Sequence, residues 1–171
     1  MSVNEQTLSH LVNQVGERLK QQGLLLVTAE SCTGGWLGQA VTTVAGSSAW
    51  YERGFITYSN LSKCEMLGVS PEKIEENGAV SEETAREMAF GALQRSHAQV
   101  AVSITGIAGP SGGSTEKPVG TICFAWVLND GLVKCKTHHF KGDRDVIRRQ
   151  SVITALQGIL SLLDEMPPLI G

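Results

Sequence analysis

Residues 24–46 constrain the fold more than any other stretch. A short apolar run without helical period, residues 24–29, leads directly into the turn Glu30-Ser31-Cys32-Thr33-Gly34-Gly35. An amphipathic stretch follows, with Trp36, Leu37, Ala40, Val41 and Val44 on one face and a stop near Gly46. A run this short suits a buried strand, and a 3.6-residue apolar repeat suits a helix packed on a sheet. The unit therefore reads as strand–turn–helix, and its turn is unusually rich in hydroxyls and glycines.

The rest of the chain continues the alternation. Leu8, Leu11, Val12, Val15 and Leu19 predict a helix over residues 4–22, closed by Gly23 as its C′ residue. Residues 54–59 (GFITYS) read as a β-branched, aromatic strand, and Asn60 is expected to cap a short helix carrying Lys63 and Met66. Ser70-Pro71-Glu72 and Ser81 open two further helices. Residues 100–104 predict another buried strand ending at Thr105-Gly106, and residues 109–118 (GPSGGSTEKP) a loop without periodicity and the segment expected to be most mobile. Asn129-Asp130-Gly131 joins strands expected over 119–128 and 132–140 into a hairpin. Asp143 caps a long last helix, closed by Pro167-Pro168. The expected fold is a single α/β domain over residues 1–171, three-layered α/β/α with a mixed sheet, without linker or repeat.

Charge and cysteine content narrow the function. The net charge of −3 argues against broad neutralisation of a nucleic-acid backbone and leaves room for one small cationic pocket. The longest apolar run, residues 122–128, falls well short of the roughly 18 residues of a membrane span. The polar residues 1–6 do not read as a signal peptide. Cys32, Cys64, Cys123 and Cys135 form no CxxC pair or zinc spacing, so they are expected to be scattered thiols of a reducing cytosol, with no metal. The late hairpin could offer an edge strand to a second copy, making a symmetric homo-oligomer plausible.

In open α/β folds ligands collect at the carboxyl ends of strands. Two such ends carry glycine-rich loops here, residues 30–35 and 105–113. Neither matches GxxxxGK[ST] or GxGxxG, so triphosphate and dinucleotide fingerprints are missing. In the first loop, glycines admit close approach and the following helix is expected to turn free N–H groups toward a phosphate or oxyanion. Equally, Ser31 or Thr33 could simply cap that helix. Residues 109–113 satisfy GxSxG, with Asp130 and His138 in hydrolase order, but Gly113 enters a loop where that motif needs a helix. The four histidines are poorly placed as bases: His10 and His97 lie on helices, and His138 and His139 alternate across a strand. A desolvated, neutral lysine is the remaining base for a serine nucleophile, and Lys63 is the best candidate; its alternative is an ordinary solvated lysine. Tyr58 could donate a hydrogen bond or serve as core.

Seven strings appear in order: TAESCTGG (28–35), GSSAWYERGF (46–55), TYSN (57–60), GAVS (78–81), SITGIAGP (103–110), KPVGT (117–121) and GDR (142–144). Together they resemble the C-terminal domain of the CinA family over nearly the whole chain, and more narrowly its stand-alone nicotinamide-nucleotide amidases. The resemblance implies hydrolysis of nicotinamide mononucleotide to nicotinate mononucleotide and ammonia, without cofactor or metal, in pyridine-nucleotide salvage. It also implies a Ser/Lys mechanism, with Ser31 as nucleophile, Lys63 as general base and Tyr58 assisting. Backbone N–H groups of Thr33, Gly34 and Gly35 would then receive the oxyanion. Thr105, Gly106, Gly112, Gly113 and Arg144 are the expected anchors of the ribose phosphate, although Arg144 could equally be a surface residue. Two alternatives stay open: Cys32 as the nucleophile, and a module that binds a pyridine nucleotide without consuming it.

Overall fold

The computed structural model describes residues 3–167, and the second proline of the expected helix stop, Pro168, lies outside them. Five strands form one sheet in the order β2-β1-β3-β4-β5. They are β1 (Leu26–Glu30), β2 (Tyr51–Ile56), β3 (Val100–Gly106), β4 (Thr121–Leu128) and β5 (Val133–His139). β1 pairs in parallel with β2 and β3, while β4 runs antiparallel to β3 and β5. The sheet is therefore mixed, as the sequence predicts.

Strand alternation divides the core into two unlike halves. Val102, Ile104, Ile122, Phe124 and Trp126 face α1 (Val3–Gln22), α2 (Trp36–Thr42) and α6 (Arg144–Asp164), where Val15, Leu19, Leu37, Leu156 and Ile159 complete a core of large side chains. The opposite face presents Val27, Ala29, Ala101, Cys123 and Ala125 to α5 (Glu82–Gln94), with Met88, Ala89 and Ala92. Small residues let that helix approach closely. A Cβ on Gly91 would lie 1.9 Å from the carbonyl oxygen of Leu67, at the end of α3 (Asn60–Leu67). α4 (Pro71–Asn77) completes this layer. The result is three layers, α/β/α.

Capping chemistry sets the boundaries. Ser70, Ser81 and Asp143 accept from the backbone N–H three residues on, each at the start of its predicted helix. The second strand differs from expectation. It spans Tyr51–Ile56, earlier than the predicted 54–59, because β1 recruits Tyr51 as the partner of Leu26. The chain then leaves the sheet, and Ser59 caps α3 in place of the predicted Asn60, through a capping box with Ser62. Thr57 and Tyr58 are thereby freed from the strand to form the connection beneath which Lys63 inserts. No helix among the described residues is long and apolar enough to cross a membrane.

Candidate active site

The carboxyl ends of β1 and β2 meet the start of α3 at one point. The Lys63 side-chain nitrogen, Nζ, lies 3.0 Å from Ser31 Oγ and 3.0 Å from the Thr57 carbonyl oxygen, with the Tyr58 carbonyl at 3.4 Å. Lys63 is only 1% exposed, so the solvated alternative does not hold. Burial pulls its pKa below the ordinary 10.5, against smaller opposing influences from the thiols of Cys32 and Cys64. The amine donates to all three oxygens, and on losing a proton it would keep two N–H donors for the carbonyls and free a lone pair toward the Ser31 hydroxyl.

The turn that carries Ser31 is held from below. Ser31 N–H donates to the Ile104 carbonyl, anchoring the turn to β3. Glu30, buried directly beneath, accepts from Thr33 Oγ1 at 2.6 Å and from the N–H groups of Leu37 and Gly38 at 2.9 and 3.1 Å. This corrects the expectation that the start of α2 offers free N–H groups to a ligand, because Glu30 occupies them. Gly34 N–H is also engaged, closing the turn onto the Ser31 carbonyl at 3.0 Å. The N–H groups of Thr33 and Gly35 have no hydrogen-bond partner among the described residues. Gly34 and Gly35, at φ 59° and 104°, supply the consecutive left-handed conformations that this turn requires.

The other predicted residues divide. Tyr58 is 64% exposed, and its hydroxyl meets Arg144 at 3.3 Å; its carbonyl, not its ring, approaches Lys63. Arg144 also donates to the Gly109 carbonyl at 2.7 Å, joining the β3 loop to the rim of the site. Thr105 points its hydroxyl at the Ala79 carbonyl, 2.8 Å away, and is buried. Gly106 and Gly113 have packing explanations. A Cβ on Gly106 would lie 2.2 Å from the Ile122 side chain, and one on Gly113 2.7 Å from the Val119 nitrogen. Gly112, exposed at φ 95°, has open space around it apart from Ile107. Burial pushes the Cys32 thiol up to about 12, away from the thiolate a cysteine nucleophile needs. His138 stacks on Phe140 and His139 meets Thr121, away from Ser31.

Two residues of this site escape the sequence reading. Glu30 sits within the motif but looks like a strand end. Arg148 comes from α6: its Nε and Nη2 donate to the carbonyls of Cys32 and Thr33, both at 3.1 Å, while its guanidinium lies 5.3 Å from the Trp36 ring centre. The available signal was its i,i+4 spacing from Arg144, which puts both on one helix face. A groove of about 630 Å³ between β5 and α6, lined by Trp126, Lys134, Lys136 and Gln157 among others, contains neither Ser31 nor Lys63.

The family model of the CinA C-terminal domain matches residues 8–163. The chain belongs to this family. It is 52% identical over 155 residues to the nicotinamide-nucleotide amidohydrolase PncC of Escherichia coli K12, covering 91% of this chain and 94% of that protein. A CinA-like protein of Syntrophobacter fumaroxidans is 50% identical over 142 residues, which are 83% of this chain but 33% of that longer relative. Among solved structures, the competence/damage inducible protein CihA of Agrobacterium tumefaciens superposes with a TM-score of 0.89 at 45% identity, covering 91% of this chain and 95% of that one.

Proposed function

We propose that this chain hydrolyses the carboxamide of nicotinamide mononucleotide, giving nicotinate mononucleotide and ammonia, by a Ser31/Lys63 covalent mechanism. The observation that carries the reading is the 3.0 Å contact between a buried lysine amine and the Ser31 hydroxyl. Identity of 52% to a protein named nicotinamide-nucleotide amidohydrolase supports the substrate.

In this mechanism the neutral Lys63 amine takes the Ser31 proton as Oγ bonds to the carboxamide carbon. The C=O π electrons move to oxygen, and the unengaged Thr33 and Gly35 N–H groups stabilise that oxyanion. Collapse re-forms the C=O and breaks the C–N bond, while the Lys63 ammonium returns its proton to the departing nitrogen, releasing ammonia. Water, deprotonated by the same amine, then attacks the nicotinoyl ester; as the C=O re-forms, the bond to Oγ breaks and the Lys63 ammonium returns its proton to Ser31, releasing nicotinate mononucleotide. The pyridinium ring withdraws electrons from the carboxamide and makes it a ready electrophile. Arg144 is the proposed partner of the ribose phosphate, with Tyr58 beside it at the rim. Cytoplasmic pyridine-nucleotide salvage is the setting proposed for this reaction, and the exposed edge of β5 is the surface proposed to pair with a second copy.

The test is ammonia release from the mononucleotide by the wild-type protein and by Ser31→Ala. Turnover by the first and none by the second is expected. Binding without ammonia release after overnight incubation would instead indicate a sensing module. Turnover retained by Ser31→Ala but lost in Cys32→Ala would assign the nucleophile to the thiol.

A further inference from the structure

The peptide between Cys32 and Thr33 has a single anchor. Its N–H, on Thr33, has no partner among the described residues, and its carbonyl, on Cys32, accepts only from Arg148 Nε. In a trans peptide the C=O and N–H point in opposite directions, so a donor that holds one aims the other. The neighbouring Thr33–Gly34 peptide is held at both ends: its carbonyl accepts from Arg148 Nη2 and Trp36 N–H, and its Gly34 N–H donates to Ser31. Two nitrogens of the Arg148 guanidinium thus bond two successive carbonyls along fixed, coplanar N–H directions, an orientation that a single ammonium nitrogen does not reproduce. Trp36, the first residue of α2, stacks against the same guanidinium and limits its motion.

We infer that Arg148 is a positioning residue that sets the oxyanion site from α6, fixing the Cys32–Thr33 peptide so that the Thr33 N–H faces the bond attacked by Ser31. This rests on the hydrolytic reading above. Arg148 does not touch the reacting atoms. Its effect is confined to the transition state, because a planar carboxamide has not yet developed the oxyanion charge.

The experiment uses Arg148→Lys, which keeps the charge and most of the aliphatic stem but replaces the rigid two-nitrogen fork with one freely rotating nitrogen, together with Arg148→Ala. For Arg148→Lys, kcat for ammonia release should fall roughly 10- to 100-fold, less than the 10²–10³ that outright loss of a donor costs. KM, and the Kd for the mononucleotide measured in a Ser31→Ala background, should stay within about threefold. Added guanidinium should partly restore Arg148→Ala. Independently of turnover, the Thr33 amide resonance should shift or broaden in Arg148→Lys. An unchanged Thr33 resonance, a kcat within threefold of wild type, or a rise in KM matching the fall in kcat would each overturn the inference. Absence of ammonia release from the wild-type protein would instead remove the hydrolytic reading, and the resonance would still decide whether Arg148 holds the peptide.

Discussion

Strands β1 and β3 lie side by side in parallel, and each ends in a loop rich in glycine and hydroxyls, yet the two ends have been put to different uses. After β1, polar groups converge from four elements: Glu30 from β1 itself, the start of α2, Lys63 from α3 and Arg148 from α6. After β3, the hydroxyl of Thr105 is tied to a neighbouring carbonyl, and two of the glycines make room for Ile122 and Val119. Composition alone cannot distinguish such loops. The distinguishing feature is a buried lysine brought from a distant element against the Ser31 hydroxyl, with its pKa lowered by desolvation.

The comparison predicts a graded set of losses. Lys63→Met should reduce kcat by about a thousandfold or more, because it removes the proposed general base while matching the volume of the buried stem. Its Tm should stay close to that of wild type, because relief from burying an amine offsets the loss of its bonds to the Thr57 and Tyr58 carbonyls. A large fall in Tm with residual turnover would show that Lys63 is structural. Glu30→Gln comes next. It replaces an acceptor-only group that takes three hydrogen bonds with an amide that can match only some of them, so stability should drop by about 1–3 kcal/mol by chemical denaturation. The same change should lower kcat about tenfold through loosening of the turn. On the β3 side, Thr105→Val should cost about 1 kcal/mol through loss of the bond to Ala79 and leave kcat within threefold. Ser114→Ala, in the exposed loop, removes a cap on Lys117 N–H and should change stability by less than about 0.5 kcal/mol. A kcat loss at Thr105 as large as that at Glu30 would break the distinction between the two ends.

The pH dependence sharpens the same contrast. With the folded pKa of Lys63 below 10.5, the unfolded chain binds more protons than the folded one between those two values. Stability conferred at this site therefore rises with pH across that window and is lowest below the folded pKa. The kcat/KM of the wild type should rise with pH through the same folded pKa, as the amine becomes a base. In Lys63→Met, the stability increment across that window should vanish, which urea denaturation at several pH values can check.

Much of this architecture was legible in the sequence, for identifiable reasons. Serine and aspartate caps mark the helix starts at Ser70, Ser81 and Asp143, the short apolar run before Thr105-Gly106 marks β3, and the Asn129-Asp130-Gly131 turn marks the end of β4. The boundaries of β2 were not, because they depend on pairing with Leu26 across the sheet, which no local pattern encodes. Ser31 and Lys63 were visible as a candidate nucleophile and a candidate base, but their contact is a tertiary fact. Glu30 and Arg148 were hidden more deeply. One resembles a strand end and the other a surface helix cation, and each acquires its role only when α2 and α6 close over the turn.

At the centre of the proposed mechanism stands an amine at position 63 that burial makes easier to deprotonate than an ordinary lysine and that is hydrogen-bonded to Ser31. Titration of the ¹⁵Nζ resonance of Lys63 in the intact wild-type protein measures this directly. A midpoint below 10.5 that coincides with the alkaline rise in kcat/KM is the predicted result. A midpoint at or above 10.5, with activity already at its plateau while Lys63 is fully protonated, would contradict it.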